Sequence, residues 1–164
     1  MVSGGFDPVH IGHVRMFEEA KKLGDELVVV INNDNWLKLK KGYVFMPEHE
    51  RKEIIKAFKA VDRVILSKHK KDTNDMSVCF ELKKIKPHIF ANGGDRNQKD
   101  AKNPDSSLYR ERKIHKKLGI KMVYNVGRGG KVRSSSELIR EVHKRINKNK
   151  MLPDKEPMNS VIRD

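Results

Sequence analysis

Short apolar runs alternate with stretches of helical period along most of the chain. Four runs of four to six residues are typical of buried strands: Glu26–Ile31, Val61–Leu66, His88–Ala91 and Ile120–Tyr124. A shorter one, Met1–Ser3, precedes Gly4. Between the runs, apolar residues recur on single helical faces: Val14, Phe17, Ala20 and Leu23, then Ile54, Ile55 and Phe58, then Leu138, Ile139, Val142 and Ile146.

Strands that alternate with helices predict βαβ units and a parallel sheet. We therefore expect an α/β fold, a Rossmann-like doubly wound five-stranded parallel sheet with helices on both faces. Gly24 and Gly119 each follow a helical stretch, where a left-handed residue commonly ends a helix. Pro47 and the serines at 134–136 suit helix N-termini.

Length and composition indicate one domain, with the boundary near residue 147. The segment 148–164 is polar and interrupted by prolines, so we expect a C-terminal extension there. The chain has one cysteine, Cys79, no apolar run long enough to cross a bilayer, and no signal-peptide core at its N-terminus. These features predict no membrane partner and a cytoplasmic location.

The formal net charge is +14, from 36 lysines and arginines against 22 acidic residues. Such a balance is compatible with nucleic acid, anionic surfaces or small polyphosphate ligands. The basic residues are mostly lysines spread along the chain, as on an ordinary solvated surface. A dedicated nucleic-acid interface is therefore the less favoured interpretation.

The decapeptide GGFDPVHIGH, residues 4–13, lies between the first strand and the first helix. Glycines allow a backbone to approach a phosphate closely, and a helix N-terminus offers unpaired N–H groups. His10 and His13 are three residues apart and can face a phosphate from the same side. Because ligands bind at the carboxyl edge of an open parallel sheet, this loop is the first candidate phosphate site.

The decapeptide resembles the HxGH signature of the cytidylyltransferase-like nucleotidyltransferase superfamily. The similarity continues through LGDELVVVINND, LKLKKG, ERKEII, AVDRVI, FANGGDR and RSSSELIRE, over roughly residues 2–145. It implies that a phosphorylated acceptor attacks the α-phosphorus of an NTP and displaces pyrophosphate, with Mg²⁺ held by the substrate phosphates and no metal site of the protein's own. It also implies that the chain forms a homodimer.

The resemblance implies roles for individual residues as well. His10 and His13 would stabilise the transferring phosphates, and Lys41 would act with them as a catalytic residue. Lys38, Lys41 and Asp7 would contact the acceptor, with the register among Lys38, Lys40 and Lys41 left open. The implied nucleotide-binding residues are Gly4, Gly5, Phe6, Asp7, Gly12, Gly93, Asp95, Arg133, Ser134 and Ser135.

Base and acceptor are less well determined by these motifs. Lys59–Val64 and Gly93–Asp95 are more similar to heptose-1-phosphate adenylyltransferases, which use ATP, than to the RYVDEV pattern of CTP-dependent glycerol- or choline-phosphate enzymes. AMP transfer to an acceptor such as a sugar phosphate is therefore favoured, with cytidylyl transfer as the alternative. A catalytically silent nucleotide- or RNA-binding module is a third hypothesis.

Several other residues have weaker signals. Trp36 could border the acceptor pocket or simply pack under the loop, and Cys79 suits a small buried position. Four histidines in Lys/Glu-rich surroundings, which show no metal-ligand spacing, are expected to be solvated: His49, His69, His115 and His143.

Overall fold

The computed structural model describes residues 1–94, 96–127 and 134–149. Its five strands are β1 (Val2–Gly4), β2 (Val28–Ile31), β3 (Arg63–Leu66), β4 (Ile89–Gly93) and β5 (Lys121–Val126). Its helices are α1 (Ile11–Lys21), α2 (Asp34–Lys41), α3 (Glu48–Lys56), α4 (Cys79–Ile85), α5 (Ser107–Leu118) and α6 (Ser135–Asn149), with a short 3-10 helix at Asp100–Lys102. The expected alternation of strands and helices is confirmed.

All strand pairs are parallel, but the strands form two sheets instead of the single five-stranded sheet that the sequence predicts. One sheet has the order β1-β2-β3 and the other pairs β4 with β5. Among the described residues, Met1 makes the backbone hydrogen bonds between the two sheets: its amine donates to the Ile89 carbonyl at 2.8 Å and its carbonyl accepts from the Ala91 N–H at 2.9 Å. The physical reason is the shortness of β1: the chain leaves the strand at Gly4 to form the GGFDPVHIGH loop.

Helices cover both faces of β2, as its alternating side chains require. Val29 and Ile31 belong to a core cluster with residues of α1 and α3, including Phe17 and Ile55. Val28 and Val30 belong to a second cluster on the other face, with residues from β4 and the α4 and α5 regions: Val78, Leu82, Phe90 and Ile114. A continuous apolar strand between two helical layers is the expected signature of a parallel sheet.

The helix-end expectations are met at some positions and fail at others. Gly119 ends α5 with φ of 68°, whereas α1 ends at Lys22 in right-handed conformation, so the prediction for Gly24 is wrong. At the start of α6, the Ser134 hydroxyl accepts from the Glu137 N–H at 3.2 Å and the Glu137 carboxylate accepts from the Ser134 N–H at 3.0 Å. This reciprocal pair is a capping box.

The apolar face predicted for α6 is not covered by the rest of the described chain at its outer end. Val142 is 54% exposed and Ile146 is 48% exposed. Residues 150–164, most of the predicted extension, lie outside the described residues, so the domain boundary near residue 147 stays a prediction. Among the helices described, none is both long enough and apolar enough to cross a membrane.

Two glycines give a matched test of the packing between β4 and α1. A Cβ on Gly93 would lie 2.9 Å from the Val126 carbonyl oxygen and would overlap the Met16 side chain, whereas a Cβ on Gly24 would meet no atom within 4 Å. We expect Gly93→Ala to lower the free energy of unfolding by about 1–3 kcal/mol and Gly24→Ala to change it by less than about 0.5 kcal/mol. Urea unfolding followed by circular dichroism measures both, and equal effects would contradict this account of the packing.

Candidate active site

A cleft of about 320 Å³ opens at the carboxyl ends of the strands. Its walls come from the loop after β1, the ends of β4 and β5, and the start of α6. Of the residues that the sequence predicts for the site, ten line it: Gly4, Gly5, Phe6, His10, Gly12, His13, Lys41, Gly93, Ser134 and Ser135. The cleft also takes in residues of α2, α5 and the segment before α4. It spans the junction between the two sheets.

The two histidines of the loop form the capping structure of α1. His10 is the N-cap, and its Nδ1 accepts from the Gly12 N–H at 3.1 Å. The Nδ1 of His13 accepts in return from the His10 N–H at 3.3 Å. The rings stack with centroids 3.7 Å apart. The spacing of three residues is thus the spacing of a capping box, with imidazoles in place of the usual hydroxyl and carboxylate.

These hydrogen bonds fix the tautomer of each neutral ring. A nitrogen that accepts from a backbone N–H carries no proton, so in the neutral imidazole the proton is on Nε2. Burial, and after it the neighbouring His10 and Lys41 charges, lower the pKa of His13 from 6.5 to about 3. His13 is therefore neutral near pH 7, with Nε2–H as its donor.

Gly12 is required by the His10 ring. A Cβ at position 12 would lie 2.9 Å from His10 Cε1 and 3.0 Å from His10 Nδ1. Any side chain here would displace the ring or break its bond to the Gly12 N–H. The central glycine of the motif is therefore explained by the close approach of a side chain to the backbone.

Of the three candidate lysines at the end of α2, Lys41 lines the cleft. Its ammonium donates to the Asp7 carbonyl at 2.7 Å, and burial lowers its pKa, opposed by Asp7 and reinforced by Arg51. Lys38 and Lys40 are exposed and do not line the cleft. Gly42 ends α2 with φ of 81°, directly after Lys41.

Asp7 is fully buried and does not line the cleft, and its predicted contact with the nucleotide and the acceptor stays a prediction. Its carboxylate oxygens accept from the Phe45 N–H at 2.9 Å and the Met46 N–H at 2.6 Å. The carboxylate therefore holds the 43–47 segment against the GGFDPVHIGH loop. Lys38, being exposed, is likewise not placed at the cleft.

The serine run reaches the cleft from the start of α6. Ser134, Ser135 and Ser136 all line it, and the Ser135 hydroxyl donates to the Pro8 carbonyl at 2.9 Å. The capping serine and the first turn of α6 therefore face the same space as the histidine loop. Asp95 and Arg133, which the sequence also predicts for the site, lie outside the described residues.

Sequence reasoning missed a polar group on the opposite wall. Ser107 and Glu111 of α5 line the cleft together with Arg96, and Asn32 lines it from the end of β2. The signal for the first two was available, since residues four apart lie on one face of a helix. Trp36 does line the cleft, and its indole N–H donates to the Met76 carbonyl at 2.9 Å.

Two histidines expected to be solvated are buried instead. His69 contacts the Ser67 hydroxyl through Nδ1 at 2.7 Å and the Ser77 carbonyl through Nε2 at 2.9 Å. His115 is 2% exposed and lies against Phe90, with ring centroids 5.2 Å apart. Their charged sequence neighbours concealed this burial. Among the described residues, no group of three or more His, Cys, Asp or Glu side chains is arranged to hold a metal ion.

Comparison with known proteins shows which family the sequence resembles over most of its length. A family model described as Cytidylyltransferase-like matches residues 1–142. FAD synthases from Ferroglobus placidus and Pyrococcus horikoshii are 39% and 37% identical over 97 and 98 residues, which is 59% of this chain in each case and 59% and 63% of theirs. The chain thus spans about three fifths of the length of these curated relatives.

A solved structure gives a longer match. The lipopolysaccharide core biosynthesis protein from Thermoplasma volcanium is 33% identical, with a TM-score of 0.59. The match covers 77% of this chain and 94% of that one. Similarity therefore extends well beyond the decapeptide.

The neutrality of His13 predicts a pH dependence of stability. The unfolded chain binds a proton at His13 near pH 6.5, while the folded chain does not until about pH 3. Stability from this residue is thus present above pH 6.5 and is lost as the pH falls towards 3, by at most about 1.4 kcal/mol per pH unit. Chemical denaturation of the wild type and His13→Asn from pH 7 to 4 should show their stability difference narrowing. A constant difference, or an NMR pKa near 6.5 for His13, would contradict this.

Proposed function

The chain belongs to the cytidylyltransferase-like family, and on that premise we propose that it is a nucleotidyltransferase that moves AMP from ATP to a phosphorylated small-molecule acceptor such as a sugar phosphate. Pyrophosphate is the second product. The observation that carries the proposal is the His10–His13 capping pair, which presents two imidazoles with fixed tautomers at the start of a helix that lines the cleft.

ATP is favoured over CTP because of the relatives. FAD contains an AMP unit joined through a pyrophosphate link to a phosphorylated flavin, so a FAD synthase carries out adenylyl transfer to a phosphate. The neighbour named for lipopolysaccharide core biosynthesis supports an acceptor from sugar chemistry. Cytidylyl transfer to glycerol or choline phosphate remains the alternative.

The proposed reaction is a single in-line displacement. An oxygen of the acceptor phosphate forms a bond to the α-phosphorus while the bond from that phosphorus to the bridging oxygen breaks, and pyrophosphate leaves with the electron pair. No covalent enzyme intermediate is needed, so positioning and charge stabilisation supply the catalysis. The Nε2–H groups of His10 and His13 donate to phosphate oxygens, and neutral donors do so without a proton leaving the ring.

The charges around the reacting phosphates come from both sides of the cleft. Lys41 supplies an ammonium for the acceptor phosphate, and its bond to the Asp7 carbonyl orients it. Ser134, Ser135 and the first N–H groups of α6 bind the β- and γ-phosphates at a helix N-terminus. Gly93 and the loop after β1 allow the nucleotide to approach the backbone closely.

Mg²⁺ fits this cleft as a companion of the nucleotide. The described residues provide no carboxylate cage, and Mg²⁺ characteristically takes its oxygens from substrate phosphates and water. When bound, the ion neutralises charge on the phosphates. The protein's own contribution is then to hold those phosphates with His10, His13 and the serines.

Pyrophosphate release tests the activity. We expect the full chain, incubated with Mg²⁺, one NTP at a time and a panel of phosphorylated acceptors, to release pyrophosphate fastest with ATP, and His10→Ala to lose this turnover while remaining folded. A preference for CTP would select the cytidylyl alternative. Absence of pyrophosphate with every acceptor, together with salt-sensitive RNA binding, would favour the non-catalytic module.

Two lysines of one helix form a matched pair. Lys41 lines the cleft and Lys38 is exposed, so Lys41→Ala should lower kcat/KM for the acceptor by about a hundredfold or more, and Lys38→Ala by less than about threefold. Steady-state kinetics with varied acceptor concentration measures both. A larger loss in Lys38→Ala would return the acceptor contact to that residue.

A further inference from the structure

The wall of the cleft opposite the histidines carries a cluster of three polar side chains, Arg96, Ser107 and Glu111. Arg96 donates from its guanidinium to the Ser107 hydroxyl at 3.2 Å. Ser107 and Glu111 lie one turn apart at the start of α5, and all three residues line the cleft.

Burying the Glu111 carboxylate at this position costs free energy, because it removes the charged group from water. Glu111 is 3% exposed, and one carboxylate oxygen accepts from the Val78 N–H at 3.1 Å. Burial raises its pKa, with the Arg96 charge acting in the opposite direction. One backbone hydrogen bond does not use the capacity of a carboxylate, which accepts up to about four. A carboxylate held in a substrate cleft with spare acceptor capacity is suited to take hydrogen bonds from a ligand.

A second observation points the same way. The side-chain oxygen of Asn32 is buried, and within the described residues it has no hydrogen-bond partner. Asn32 also lines the cleft, at the end of β2. A buried unpaired acceptor is costly, so a ligand that donates to it recovers that free energy.

Hydrogen bonds connect the cluster to helix α2. The segment 76–78 runs between the two elements: Trp36 of α2 donates to the Met76 carbonyl, and the Val78 N–H donates to Glu111. Helix α2 also carries Lys41. The elements proposed for the triphosphate, the histidine loop and the start of α6, are joined to each other through Ser135 and Pro8 instead.

We propose that Arg96, Ser107 and Glu111, with Asn32, bind the hydroxyl groups of the acceptor, and that the acceptor is therefore a polyhydroxylated phosphate ester of the sugar or polyol class. This inference rests on the transferase function proposed above. The guanidinium and the carboxylate balance each other, so the wall is matched to neutral groups and not to a second phosphate. A hydroxyl donates to the carboxylate and accepts from the guanidinium or the serine, and adjacent hydroxyls occupy both.

Glu111→Gln is the central variant, and Glu81→Gln is its control. Glutamine keeps an oxygen for the Val78 N–H but loses the charge. Glu81 is also a buried glutamate, 4% exposed, that accepts one backbone N–H, from Lys68 at 2.9 Å, and it does not line the cleft. Thermal unfolding shows whether each variant is folded. If Glu111→Gln is not, Ser107→Ala removes a single hydroxyl from the same cluster.

Binding is measured by titration calorimetry on the full chain with glucose 1-phosphate, mannose 1-phosphate, ribose 5-phosphate, glycerol 3-phosphate and FMN, and separately with ATP. We expect a sugar phosphate to bind best, Glu111→Gln to weaken it about tenfold or more, and ATP binding to change less than about threefold. Glu81→Gln should change neither. In turnover, Glu111→Gln should raise KM for the acceptor and leave kcat within about threefold.

Other results overturn the inference. Equal weakening of ATP would assign the cluster to the nucleotide, equal effects in Glu81→Gln would make the loss structural, and tighter binding of FMN that is insensitive to Glu111→Gln would exclude a hydroxyl-reading wall. The two proposals fail separately. Sugar-phosphate binding without pyrophosphate release refutes the transferase, whereas pyrophosphate release at a rate and acceptor KM that Glu111→Gln leaves unchanged refutes the assignment of the cluster to the acceptor hydroxyls.

Discussion

One buried cation organises the loops on which the cleft depends. Arg51 of α3 is completely buried, and its guanidinium pairs with the Asp34 carboxylate at 2.7 Å. It also donates to three backbone carbonyls, those of Gly5, Asn32 and Met46. Burying a charge costs several kcal/mol unless its hydrogen bonds are satisfied. The guanidinium therefore stabilises the conformation of these loops, and the loops in turn supply the acceptors that allow it to be buried. The ends of β1 and β2 and the approach to α3 are thereby fixed to one another.

The hydrogen bonds of Arg51 also position the GGFDPVHIGH loop. Gly5 is held by Arg51, and two residues later the Asp7 carboxylate takes the N–H groups of Phe45 and Met46. Lys41 completes the set through the Asp7 carbonyl. Asp7 and Arg51 are thus buried behind the cleft and position its loops, while the histidines, Lys41 and the serines line it. Preorganised donors of this kind need little rearrangement when a charged ligand arrives.

Much of this was predictable from the sequence, and most of the failures share a cause. The strands were expected within a few residues because each is a compact apolar run, and the GGFDPVHIGH loop was recognisable because its glycines and histidines act locally. The lysine register, the burial of Asp7 and the position of Glu111 depend on contacts between segments far apart in the chain, such as the one between Val78 and Glu111. The prediction of a single sheet failed for a different reason: β1 has three residues and does not pair with β4 as a strand.

The cleft takes its lining residues from two separate sheets, so a bound molecule can connect them. The GGFDPVHIGH loop and Lys41 line the cleft on the side of the β1-β2-β3 sheet. Gly93 and Gly127 line it on the side of the β4-β5 sheet. The hydrogen bonds of Met1 join the two sheets. A molecule that contacts residues on both sides of the cleft therefore links the two sheets. Because such a molecule binds when both sheets are in place, its binding stabilises that arrangement by an amount that grows with its concentration relative to its Kd.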